Sequence, residues 1–138
     1  MLKKCLCVIF ALVVVALVSV YNGKPLFYEM NKNYLLYTAD NSSLAFQTVS
    51  DKPFYPFMAK VKGESCKVEK SGFNVDDFFK GYGAEILFVE SVDGVTSYYG
   101  YSKDIKFLTK IKGELINLHV AVAENGVTIG SPIIFGSF

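Results

Sequence analysis

Between Ile116 and Ile133 the sequence alternates apolar with polar or small residues on both sides of one tight turn. Ile116, Leu118, Val120 and Val122 interleave with Asn117, His119, Ala121 and Ala123. Successive side chains of a strand point to opposite faces of its sheet, so this period of two specifies a strand with one buried face. Glu124-Asn125-Gly126 follows. Asn and Gly reach positive φ at little cost, which makes Asn-Gly between apolar runs a hairpin signal. Val127, Ile129, Ser131 and Ile133 alternate on the return. Pro132 has no N–H to donate, so the return strand ends there or lies at an edge. This hairpin commits the chain to antiparallel sheet.

The stretches before it supply further elements. Tyr34–Thr38 and Leu44–Val49 read as a first hairpin across Asp40-Asn41-Ser42-Ser43, whose short polar side chains favour turns. Phe57–Lys62 and Cys66–Lys70 read as a second pair around Gly63. Gly72–Gly83 is the helix candidate. Asn74 can cap it, Asp76 and Asp77 sit at the positive end of its dipole, and Val75, Phe78, Phe79 and Tyr82 form an apolar stripe. So short a helix has to lie across a sheet to persist. Ala84–Ser91 is apolar on both faces at Ile86-Leu87-Phe88-Val89, the pattern of an interior strand. Asp93-Gly94 turns the chain into Val95–Ser102. Lys103–Gly113 connects to the last hairpin as a helical turn or an extended loop. The expected fold class is α+β: an antiparallel sheet with one short helix packed on one face.

The N-terminus has a different character. Lys3 and Lys4 precede Cys5–Tyr21, a run without charge. Its length lies between that of a signal peptide's apolar region and that of a membrane span. Ser19 and Ala16 do not form an A-x-A-like cleavage site. The expected organisation is a signal peptide or membrane anchor over residues 1–21, a tether over 22–32 and one domain over 33–138, placed outside the cytoplasm by the positive-inside rule. Beyond Tyr21, 12 of the 14 basic residues face all 13 acidic ones, a net charge of −1, and no residue is Arg. Nucleic acid is not an expected partner, because phosphate binding needs a basic surface. Lys103, Lys106, Lys110 and Lys112 are the nearest approach to one, read as a solvated segment or as a contact to an anionic membrane surface.

No motif for chemistry emerges: no phosphate-binding glycine loop, no metal-ligand spacing and no nucleophile–base set. No catalytic residue, metal or cofactor is assigned, and the chain is read as not an enzyme. Cys66, the one cysteine outside the apolar run, is a buried thiol or the site of an intermolecular disulfide. Tyr98, Tyr99 and Tyr101 crowd one strand, where they pack across strands or present a binding face. His119, the only histidine, faces away from Leu118 and Val120.

The run Ile116–Val122, a turn, and Val127-Thr128-Ile129-Gly130-Ser131-Pro132-Ile133-Ile134 resemble the end of the YwmB-type exported proteins of Gram-positive bacteria. The upstream order of helix, Gly-Ala-Glu-Ile strand, hairpin and Tyr-rich strand fits as well. The resemblance covers about Phe57–Phe138. This chain is shorter than that family, and it carries His119 where the family has Gln. The resemblance implies a TATA-box-binding-protein-like half and no established activity. The function expected is a non-enzymatic binding module of the cell envelope, exported or anchored. Its contacts to an envelope protein or surface ligand are expected at Tyr98, Tyr99, Tyr101, Asn117 and His119. The membrane would be reached through residues 5–21, and either a homodimer forms across Leu44–Val49 and Ile133–Phe138 or Leu26–Phe57 folds back and completes the sheet within one chain. The alternative is an envelope enzyme or a carbohydrate or lipid binder using the Tyr98–Tyr101 strand and His119.

Overall fold

The computed structural model of the chain describes residues 2–21, 26–27, 30, 35–37, 45–47 and 61–134. The turn at 40–43, the stretch 51–60 and the tail 135–138 lie outside them. Helix α1 (Leu2–Tyr21) precedes β1 (Leu35–Tyr37), β2 (Ala45–Gln47), β3 (Gly63–Val68), helix α2 (Val75–Gly81) and β4 (Glu85–Val92). β5 (Val95–Tyr101), β6 (Thr109–Ile111), β7 (Glu114–Ile116), β8 (Leu118–Ala123) and β9 (Gly126–Ser131) complete the order. The fold is α+β. Seven strands form one sheet in the order β2-β1-β3-β9-β8-β5-β4, with each pairing antiparallel. β6 and β7 form a separate small ribbon.

Two turns account for much of the register. Asp93-Gly94 adopts φ of 49° and 79°, and Lys112-Gly113 adopts 52° and 90°. Both are two-residue loops with positive φ throughout, which match the right-handed twist of the strands they join. The second converts Lys103–Gly113, expected as a loop or helical turn, into the β6–β7 hairpin. In the last hairpin Ala123 pairs with Gly126, so Glu124-Asn125 is the turn and Gly126 opens β9.

α2 is short because its sequence caps it at both ends. The Asn74 side chain accepts from the Asp77 N–H at 3.0 Å, and Gly83 turns away at φ 58°. Phe78 and Phe79 point down onto a core of Cys66, Leu118, Val120, Val127 and Ile129. A Phe side chain fully buried in this way contributes about 2 kcal/mol. A seven-residue helix is about 10 Å long, whereas seven strands span about 29 Å. α2 therefore covers only part of its face. β4, expected as an interior strand, is an outer one: it pairs with β5 alone among the described residues, its register shifts between Ile86 and Phe88, and Leu87 and Val89 are exposed.

Part of the remaining face is covered by residues expected to be a tether. Phe27 is completely buried, its ring 5.8 Å from Tyr82 and 6.3 Å from Phe78. Its N–H donates to the buried Glu64 carboxylate at 2.7 Å, and Leu26 and Met30 pack beside it. The domain thus draws core from before residue 33. Gly63 also departs from expectation, since it opens β3 and pairs with Tyr37. A Cβ at Gly63 would lie 2.6 Å from the Ser131 carbonyl oxygen and 2.9 Å from Pro132. Glycine serves close strand approach here rather than a turn.

Candidate functional site

The hydrogen-bonded register lines up three rings across the sheet face opposite α2. Phe88 on β4 pairs with Tyr99 on β5, and Tyr99 pairs with His119 on β8. Directly opposed side chains of neighbouring strands sit about 5 Å apart, so flat rings at these positions stack. The centroids of Phe88 and Tyr99 are 4.6 Å apart at 21°, and those of Tyr99 and His119 are 4.3 Å apart at 17°. The next partner in the row is Gly130, which has no side chain to continue the stack. Ile134 fills that place: a Cβ at Gly130 would lie 2.8 Å from its Cγ1.

Pro132–Ile134 thereby folds back under the sheet and closes the stack. The Ile134 N–H donates to His119 Nδ1 at 3.1 Å, which places the imidazole proton on Nε2. Burial holds the His119 pKa down to about 4, against a weaker opposing pull from the Glu90 carboxylate. The ring is neutral at physiological pH. Leu118, His119, Val120 and Ala121 are all buried, so this strand has two covered faces where its alternation implied one.

At the open end of the stack Lys112, lifted by its turn, pairs with Glu90 and stands 5.6 Å from the Phe88 ring centroid. The Tyr99 hydroxyl is held above its ordinary pKa, chiefly by burial, with Ser97 pulling the other way. Beyond it lies an open groove of about 270 Å³ lined by Glu90, Val92, Asp93, Val95, Ser97 and Tyr99.

The structure separates the residues expected to act together. Tyr98 packs against the α2-side core, opposite in facing to Tyr99. Both ring faces of Tyr99 are taken, by Phe88 and by His119, so the strand is not an open aromatic platform. Tyr101 is exposed at the end of β5. Asn117 is a brace. Its Oδ1 accepts from the Ser102 N–H at 2.8 Å, its Nδ2 donates to the Ser102 and Ile105 carbonyls, and its own carbonyl accepts from Ser131 Oγ. It splits one continuous apolar run into β7 and β8. Of the two readings of Cys66, the geometry favours the buried thiol over the intermolecular disulfide. The thiol is 1 % exposed, and burial, with the nearby Glu64, pushes its pKa up, which disfavours the thiolate.

The chain matches no family model, no curated protein and no solved structure.

Among the described residues no group of three or more His, Cys, Asp or Glu is placed to hold a metal ion. The site has the chemistry of a clasp: a neutral histidine, a tail amide and a tyrosine held in a row. In the sequence Phe88 belongs to an apolar strand and Lys112 to a lysine cluster, and nothing there assigns either of them or Glu90 to this site. The Asp93-Gly94 turn carried the signal for Phe88, because a two-residue loop there sets it opposite Tyr99. Lys112-Gly113 carries no strong turn signature, so Lys112 could not be placed.

Proposed function

We infer that this chain is an extracytoplasmic module tethered to the cell membrane by α1, and that it acts by binding a partner of the envelope rather than by catalysis. The observation that supports this is α1. Its described side chains, Cys5–Leu17, are all exposed, and nine of them are the large apolar residues Leu6, Val8, Ile9, Phe10, Leu12, Val13, Val14, Val15 and Leu17. An apolar surface of this extent calls for an apolar partner. Those side chains cover thirteen positions, and among the described residues no helix is long and apolar enough to cross a membrane. The tether reading therefore rests on the sequence, whose uncharged run continues to Tyr21 with Lys3 and Lys4 at its start. The absence of an A-x-A-like site favours retention of α1 over cleavage.

The likeness to the YwmB-type proteins supports an envelope location. With it comes a TATA-box-binding-protein-like half as the finer description of this sheet and helix. The reading is tested by fusing residues 1–24 to a reporter active only outside the cytoplasm. Signal is expected, and it should vanish when residues 5–20 are removed. Equal signal from both fusions would contradict the reading.

A further inference from the structure

We propose that the outer face of the β6–β7 hairpin, together with Lys103 and Lys106, is a docking surface for the anionic bilayer that holds α1. The proposal rests on the tether reading above.

The hairpin is two-sided. Ile116 is buried and Thr109, its cross-strand partner, is half-buried. On the other side Lys110 pairs with Leu115, and both are exposed. Leu108, two residues before Lys110, is exposed as well; it and Leu115 are 51 % and 50 % accessible. Two leucines flanking a lysine give an apolar surface with a cationic rim. Such surfaces enter the headgroup layer, apolar side chains inward and ammonium groups among the phosphates.

The surrounding charge has the right sign. Between residues 103 and 115 stand Lys103, Lys106, Lys110 and Lys112 against Asp104 and Glu114. Lys112 is engaged with Glu90, which leaves three exposed lysines on the segment. A domain with a net charge of −1 beyond Tyr21 thus carries a local excess of positive charge, and carries it beside exposed leucines.

The start of the segment, at Lys103, also lies near where the chain enters the domain. The Tyr82 hydroxyl donates to the Leu26 carbonyl at 3.4 Å, and Ser102 Oγ donates to the Tyr82 carbonyl at 2.7 Å. The Asp104 N–H in turn donates to Ser102 Oγ at 3.2 Å. Leu26, next to the fully buried Phe27, is therefore two residues' contact away from Lys103. From Tyr21 to Leu26 the chain spans at most about 18 Å even when fully extended. A domain fixed at Leu26 is held within that distance of the end of α1. The surface is therefore within reach of the bilayer that α1 enters, and the short connection raises its effective concentration there.

The test uses the full chain reconstituted into nanodiscs of phosphatidylglycerol or of phosphatidylcholine. Lysine acylation rates are read peptide by peptide by mass spectrometry. The negative potential of an anionic leaflet concentrates protons about threefold at its surface, which slows acylation of amines held there by about the same factor. Lys103, Lys106 and Lys110 should react about threefold more slowly in phosphatidylglycerol, while Lys67 on β3 should react alike in both. In a Leu108→Ser, Leu115→Ser variant, whose changes are confined to exposed positions, this difference should shrink. Equal rates for the three lysines in discs that contain the chain would overturn the docking surface and leave the tether standing. Failure of the chain to enter either disc would overturn both.

Discussion

His119 makes the domain sensitive to acid in a way that can be calculated. Its folded pKa is about 4 because burial penalises the imidazolium, against about 6.5 in an unfolded chain. Above the unfolded value both states are neutral and the residue costs nothing. As pH falls below it, the unfolded state takes up a proton that the folded state refuses, so stability declines until pH passes the folded value. Integrating that difference between about pH 7 and about pH 4.5 gives a loss of about 2.5 kcal/mol. This is a substantial part of a stability of about 5–15 kcal/mol. His119→Gln removes the titration and keeps an acceptor, the side-chain carbonyl, for the Ile134 N–H. Urea unfolding of residues 24–138, which retain Leu26, Phe27 and Met30, measures both proteins at the two pH values. The native sequence should lose about 2.5 kcal/mol more than His119→Gln on acidification. Carboxylates titrate equally in both and cancel in the comparison. Equal acid losses would refute the buried, neutral histidine and the tail that covers it.

Val120→Asp places a carboxylate among Leu118, Ile129 and Phe79. It should unfold the domain at neutral pH, read as loss of the near-ultraviolet dichroism signal, because an unpaired buried charge costs several kcal/mol. Phe27→Ala should cost about 3–5 kcal/mol in denaturant titration; a change under about 1 kcal/mol would return residues 26–30 to the status of a tether. A gel shift at physiological salt should show no DNA binding, since a net charge of −1 and no Arg release few counterions. Residues 24–138 should sediment as a dimer in the presence of reductant: among the described residues β2 and β4 are the outer strands of the sheet, and edges invite pairing between copies. A single monomer-mass species would remove that expectation.

The parts of the fold legible in the sequence were those written in local chemistry. Asn74 and its apolar stripe marked α2, Asp93-Gly94 marked the β4–β5 hairpin, and Pro132 marked the end of β9. What the sequence concealed was coverage. Nothing in the alternation around His119 reveals that Pro132–Ile134 returns beneath it, because that contact joins residues 15 apart through a glycine at the next strand. Ile86–Val89 looked interior because it is apolar on both sides, yet β4 is an outer strand of the described sheet whose register shifts between Ile86 and Phe88. Gly63 looked like a turn because glycine at a strand crossing and glycine at a turn are spelled alike. Asn117 read as a partner contact on the polar face of a strand. Only the tertiary fold brings Ser102 and Ile105 to its amide.

The most direct test of the central claim is the location of the native protein in its host. Membranes are washed with alkaline carbonate, and intact cells freed of their wall are treated with protease. A tethered extracytoplasmic module predicts that the full-length chain stays with the washed membranes and that its domain is digested in intact cells, leaving a fragment that contains α1. A protease-protected chain in the soluble cytoplasmic fraction, with residues 1–21 still attached, would contradict it.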